Sequence, residues 1–188
     1  FSKVTASDFI ENYLVRYLNP KKIIIGYDFA FGSDRAGSFQ TLKDGASKFG
    51  YDVASVTPVT TGDKPISSSR IRQALTDGEV ESVEELLGCA YFVDGIIREG
   101  YARGRQIGFP TANLTTLAEI LPRTGVYCTL FEVNGRKYPA VTNVGFNPTF
   151  QEGMGMERLK IETHLLDYEG QLYGAHIRLH FLKRVRGE

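Results

Sequence analysis

Cysteine is scarce in this sequence. The 188 residues hold two, Cys89 and Cys128, with neither metal-type spacing nor a disulfide framework, so a reducing cytoplasm is the expected compartment. Surplus charge is absent as well. Lys plus Arg number 22 and Asp plus Glu number 22, which leaves no global field to hold a polyanion and weighs against a nucleic-acid partner. No apolar run approaches the roughly 20 residues of a membrane span. The opening residues do not read as a signal peptide. There is no internal repeat, no low-complexity tract, no P-loop and no G-x-G-x-x-G fingerprint, so the mechanisms attached to those motifs do not transfer.

What is present is ordinary globular text, 42% apolar and 23% charged, long enough for one domain or two small ones with a real core. The chain opens on Phe1 and in helix-like text. The natural protein is therefore expected to extend further on this side.

Residues 1–88 read as α/β. Ser7 caps an expected helix over Asp8–Leu18, with Phe9, Ile10, Tyr13, Leu14 and Tyr17 on its buried face. Ile23–Ile25 is a continuous apolar run, expected as a strand covered on both faces. A glycine-bearing loop, Gly26–Gly37, follows it. Thr41–Phe49 is expected as a helix stopped by Gly50, and Asp52–Val59 as a strand. Ser67–Leu75 reads as a serine-capped helix, and Val80–Leu87 as a short helix stopped by Gly88. Helices alternating with strands argue for βαβ units.

After Gly88 the texture changes, and the domain boundary is placed at Gly88–Ala90. Tyr91–Ile97 is strand-like. Val126–Val133 and Lys137–Val144 flank Asn134–Gly135, a hairpin signal. Lys160–Leu166 and Gln171–Tyr173 surround a further turn. In His176–Leu182, Ile177, Leu179 and Phe181 alternate with His176, Arg178 and His180. Short strands with turns between them point to an antiparallel barrel or sandwich. His176 and His180 would suit zinc on a helix, but on a strand they lie about 13 Å apart, which excludes a shared ion.

The densest candidate for chemistry is Glu99–Asn113. Gly100, Gly104 and Gly108 let backbone approach a ligand. Arg103 and Arg105 suit phosphate oxygens. Pro110 stiffens the exit, and Thr111 and Asn113 offer oxygen ligands of the kind Mg²⁺ takes together with substrate phosphates. An ordinary glycine-rich hairpin loop explains the same composition. Glu162, on an ordered strand with His164 on its face, is either a general base or an outward-facing carboxylate in water. Phe29 and Phe31, beside Asp28 in the loop after the Ile23–Ile25 strand, either flank an aromatic ligand or pack in the core. Ser68, Ser69 and Arg72, in Ile66-Ser-Ser-Ser-Arg-Ile-Arg72, make either an anion site at a helix start or a plain cap.

Taken together these segments resemble the bifunctional bacterial riboflavin kinase/FMN adenylyltransferases, also called FAD synthetases. The resemblance is carried by Gly104-Arg-Gln-Ile-Gly-Phe-Pro-Thr-Ala-Asn113, Leu121-Pro-x-x-Gly-Val-Tyr127, Asn143-Val-Gly-Phe-Asn-Pro-Thr149, Glu162-Thr-His-Leu-Leu-Asp167, Leu172-Tyr-Gly174 and Phe181-Leu-Lys-Arg184. Upstream it is carried by Gly-x-Asp-Phe-x-Phe-Gly and Ser-Ser-Ser-Arg-Ile-Arg.

The resemblance implies a Rossmann-like nucleotidyltransferase part over residues 1–88, then an antiparallel, Greek-key-like kinase β-barrel over 89–188. It implies Thr111 and Asn113 as Mg²⁺ ligands with ATP, and Glu162 as the base on riboflavin. Gly100, Arg105, Gly108 and Pro110 would shape the nucleotide loop. Ser68, Ser69 and Arg72, with Asp28, would hold a second ATP. The expected partners are the small molecules riboflavin, FMN and ATP, without nucleic acid or membrane. The family's histidine-bearing loop and its C-terminal helix are not matched. The chain is thus expected to be a piece of a longer enzyme, impaired above all in making FAD. Two other classes compete with the kinase: a flavin- or nucleotide-binding module without catalysis, and a barrel that binds nucleic acid.

Overall fold

A computed structural model describes residues 2–99, 110–146 and 159–187. Two compact units are present, Phe1–Pro65 and Ile66–Glu188.

The first unit is built on one parallel βαβ turn. Helix α1 (Ala6–Asp8) continues as the π-helical Phe9–Leu18 and ends at Asn19 in the left-handed region. Its cap is Thr5, two residues before the expected Ser7; the Thr5 hydroxyl accepts the Asp8 amide at 3.1 Å. Of the five apolar residues expected on its buried face, Ile10 is buried, while Tyr13 and Tyr17 are exposed. Winding with i→i+5 hydrogen bonds makes a wider turn, so an i, i+3, i+4, i+7 stripe drifts off one face.

Strand β1 (Lys22–Gly26) pairs in parallel with β2 (Asp52–Val56), and α2 (Phe39–Phe49) crosses between them. Ser38 and Thr41 form a capping box at the start of α2, and Gly50 ends it at φ 75°. Leu42 packs under Tyr51, whose hydroxyl donates to the Leu42 carbonyl at 2.9 Å. β2 stops at Val56, short of the expected Val59; Pro58, which has no N–H to give a ladder, follows closely. Expected coverage of both faces of β1 is not met: Ile25 is 8% exposed and Ile24 is 63% exposed. Among the described residues, only the face that meets the helices is packed. A small antiparallel pair, β3 (Thr60–Thr61) and β4 (Lys64–Pro65), closes the unit.

The second unit begins with α3 (Ser68–Asp77) and α4 (Val80–Leu87), ended by Gly78 and Gly88 at φ 81° and 73°. Six strands follow: β5 (Tyr91–Arg98), β6 (Ala112–Thr116), β7 (Gly125–Val133), β8 (Arg136–Phe146), β9 (Leu159–Leu165) and β10 (His176–Arg186). They close into an antiparallel barrel in the order β10-β5-β6-β9-β8-β7. β6 lies beside β9 rather than β7, which makes a Greek key. Asn134 and Gly135, at φ 51° and 73°, turn the β7–β8 hairpin as the sequence predicts.

Tyr127, Phe131, Leu179, Phe181, Val93 and Ile97 fill the interior. Gln171–Tyr173 is not a strand. Leu172 packs against the barrel core, and Gly174, at φ 77°, donates to the Ile97 carbonyl at 2.9 Å, so the segment turns into β10. Strand β6 escaped the sequence reading, because its short Ala-Asn-Leu-Thr-Thr run adjoins a glycine-rich loop. Val80 of α4 is buried in the barrel's own cluster. For that reason the compact units divide at Pro65–Ile66, upstream of the change in texture at Gly88–Ala90.

Candidate active site

Strand alternation decides which side chains meet. Across β6 and β9, Ala112 opposes Thr163, Asn113 opposes Glu162 and Leu114 opposes Ile161. Ala112, Leu114, Ile161 and Thr163 are buried, so Asn113 and Glu162 share the outer face. On its other side Glu162 opposes Asn143 of β8. A row Asn113–Glu162–Asn143 therefore crosses three strands, with neighbours about 5 Å apart at Cβ.

The inner layer pins this register. The Thr129 hydroxyl donates to the Ala140 carbonyl at 3.2 Å. Having spent its one proton, it accepts from Thr142 at 2.8 Å, and Thr142 accepts from Thr163 at 2.9 Å. All three threonines are buried. A slip of one residue would strand these hydroxyls and turn the apolar set outward. The pair Thr142–Thr163 precedes Glu162–Asn143 in the same ladder, so the buried hydroxyls and the outer row are aligned together.

A cleft of about 360 Å³ opens on the outer face, lined by Thr111, Asn143, Glu162, His164 and Arg186, with Val126 and Val141 as its apolar part. Asn113 borders a different cleft, of about 810 Å³, with Arg98, Glu99, Leu121 and Lys160. Thr111 and Asn113 are thus brought to either cleft separately, while Glu162 has Thr111 in its cleft and Asn113 opposite it in the ladder. His164 Nδ1 lies 2.9 Å from the Pro110 carbonyl. Because a carbonyl only accepts, the ring nitrogen donates. Chemically, the cleft offers a carboxylate that can take a proton, neutral oxygens suited to a hard cation, and a guanidinium suited to phosphate.

The remaining sequence candidates fall in different units or outside the described residues. Gly100, Arg105 and Gly108 lie outside the described residues. Pro110 is exposed. Asp28 stands exposed in the turn after β1, in the first unit. Phe31 is core, 5.4 Å from the Phe9 ring, whereas Phe29 stacks on Phe31 at 5.6 Å and keeps an exposed face. Ser67 caps α3 by accepting the Arg70 amide at 3.3 Å. Ser68, Ser69 and Arg72 are exposed along the start of α3, in the second unit.

The Leu121–Tyr127 block is scaffold. The Tyr127 hydroxyl donates to the Arg123 carbonyl, and Arg184 donates to the Thr124 carbonyl at 2.7 Å. Gly125 sits at φ 152°, where a Cβ would stand 2.5 Å from the Arg186 carbonyl. The Tyr91 hydroxyl donates to the Ile120 carbonyl at 2.7 Å. Burial pushes both tyrosine hydroxyls above the ordinary phenol range, so they stay protonated donors at neutral pH.

The profile of the riboflavin kinase family matches residues 87–188, more than half of the chain. The chain belongs to the riboflavin kinase family. Residues 1–70 match the FAD synthetase family, so both parts of the sequence resemblance stand. The bifunctional riboflavin kinase/FMN adenylyltransferase of Bacillus subtilis is 42% identical over 190 residues, covering 100% of this chain and 59% of that protein. That of Escherichia coli is 36% identical over 189 residues, with the same coverage. A solved structure from Streptococcus pneumoniae, named a macrolide-efflux protein, matches with TM-score 0.86 at 37% identity, over 100% of this chain and 59% of that one. The chain thus spans about three fifths of the length of these relatives.

Asn143, Arg186 and the Pro110–His164 bond were not singled out as site features from sequence. Asn143 had a signal, since it opens one of the family blocks. Arg186 had none, because its place in the cleft with Glu162 comes from barrel closure.

Proposed function

We propose that the barrel phosphorylates riboflavin to FMN at the expense of ATP, and that the full-length parent also adenylylates FMN to FAD. The observation that carries the reading is Glu162, aligned with Asn113 and sharing a cleft with Thr111, within the stretch matched by the riboflavin kinase family. Glu162 takes the proton of the ribityl 5′-hydroxyl as that oxygen attacks the γ-phosphorus. The new O–P bond forms while the bond to the β-phosphate oxygen breaks, and ADP leaves. Positioning and charge neutralisation supply most of the acceleration in such transfers, so few reactive side chains are needed.

By donor chemistry Thr111 and Asn113 suit Mg²⁺, although the two line different clefts. They are neutral oxygen donors beside one carboxylate, and the described residues hold no cage of three or more His, Cys, Asp or Glu. That donor set suits an ion that keeps waters and takes phosphate oxygens. When bound it supplies charge neutralisation on the phosphates. Gly100, Arg105, Gly108 and Pro110 would shape the nucleotide loop. Asp28, Ser68, Ser69 and Arg72 would serve a second ATP in the adenylylating part.

We place the functional boundary near residue 88, with 1–88 the adenylyltransferase part and 89–188 the kinase part. The partners are small molecules, and the compartment is the cytoplasm. Zero net charge supports the absence of a nucleic-acid partner. No helix among the described residues is long and apolar enough to cross a membrane. The efflux suggested by the Streptococcus pneumoniae protein's name finds no support in the barrel. Among the described residues its interior is filled by Tyr127, Phe131, Leu179 and Phe181, each at 0% exposure, with no channel between them.

The test is direct. Full-length parent is incubated with riboflavin, ATP and Mg²⁺, and FMN is separated and quantified. Absence of FMN would overturn the reading. Flavin quenching without ATP consumption would favour a binding module instead.

A further inference from the structure

We infer that His164 is a positioning residue of the kinase site, acting through the Pro110 carbonyl to hold Thr111 beside Glu162; this rests on the kinase reading above. The ladder between β6 and β9 starts at Ala112 opposite Thr163. One step further back the chain reaches Thr111, and then Pro110, which has no N–H to extend a ladder. Thr111 is exposed, so packing does not fix it.

Among the described residues, the imidazole makes a contact past the end of the ladder, with Nδ1 donating to the Pro110 carbonyl at 2.9 Å. His164 and Glu162 stand two residues apart on β9, hence on one face. Both line the cleft that Thr111 enters. One strand therefore presents the base and also anchors the segment that carries the oxygen ligand. The arrangement sets their separation in a way that a free loop end would not. It also sets the tautomer: a neutral His164 carries its proton on Nδ1.

The role is tested in the full-length parent with His164→Ala and His164→Asn, whose amide N–H can replace the Nδ1 donor. For His164→Ala, kcat for FMN formation falls about 10- to 100-fold and the Mg²⁺ concentration for half-maximal rate rises, while KM for riboflavin stays within about twofold. His164→Asn recovers most of both losses. Histidine ¹⁵N NMR of the wild type reports a protonated Nδ1.

Unchanged kcat and Mg²⁺ requirement in His164→Ala would overturn the positioning role, and so would equal loss in both variants. A wild type that makes no FMN would instead overturn the kinase reading beneath it. Loss of melting temperature without rescue by Asn would assign His164 to the fold alone.

Discussion

The two units handle their strands in opposite ways. The barrel closes on itself, so each of its strands is paired on both sides and its inner faces meet in one cluster. The first unit has two parallel strands and packs one face of them, leaving Ile24 and Val56 exposed. Closure has a consequence for function. Residues on the barrel's outside are held by ladders on both sides, as Glu162 is between Asn113 and Asn143. Asp28, in the first unit, sits in an exposed turn where no ladder fixes it. A site built on a closed sheet inherits its precision from the register, and a site built on loops needs a ligand or a neighbour to acquire it.

The contrast can be broken or sharpened by substitution. The largest effect is expected from Glu162→Gln. Loss of the base should lower FMN formation by the parent about 10²- to 10⁴-fold, with the melting temperature unchanged, because the carboxylate lies on the outer face. Normal turnover would remove Glu162 from the chemistry and the barrel from its favoured place in the comparison.

Core truncations come next. Phe131→Ala in the barrel should cost about 3–5 kcal/mol, and Ile25→Ala in the first unit about 2–5 kcal/mol, read by denaturant unfolding. Its neighbour Ile24, on the open face, should tolerate alanine within about 0.5 kcal/mol in this chain. Equal costs at Ile24 and Ile25 would mean that both faces of β1 are covered.

Ser67→Ala should cost about 1 kcal/mol through the lost α3 cap, and Ser67→Gly only a few tenths.

The smallest effect concerns the barrel's outer surface in acid. Arg178 donates to Asp94 at 2.7 and 3.0 Å and lies over the Phe92 ring at 3.9 Å. The hydrogen bond from Arg178 holds the Asp94 carboxyl below its ordinary range, and the hydrogen bond from His180 does the same for Glu132. A carboxylate depressed by folding binds its proton first in the unfolded chain. Its contribution is therefore full above the ordinary carboxylate pKa and is lost as pH falls through the depressed value. Both groups are solvent-screened, so the loss is small. Asp94→Asn should flatten the acid limb of a melting-temperature profile slightly and leave pH 7 behaviour nearly unchanged.

Much of the fold was legible because it is written in short-range signals. The Ile177–Leu179–Phe181 alternation, the Asn134–Gly135 turn, the Ser67 cap and the stops at Gly50 and Gly88 all appear as read. The misreadings have local causes of a different kind. π-Winding moved Tyr13 and Tyr17 off the buried face, and Thr5 took the cap from Ser7. β6 was hidden by its glycine-rich neighbour. Gln171–Tyr173 has strand-like residues but is bent by the turn at Gly174.

By itself, then, the sequence determined the residue types of the candidate site, the periodicity of most elements and the family blocks that name the chemistry. Only the tertiary structure decided that Glu162 faces Asn113 on one side and Asn143 on the other. It alone brought Arg186 and His164 into the Thr111 cleft and seated Val80 in the barrel core. The physical reason is range. Caps, turns and alternation are set by residues a few positions apart, whose energies are local. Register and closure are set by strands far apart in the chain, through buried hydroxyls and apolar faces that find partners only when the whole barrel is assembled.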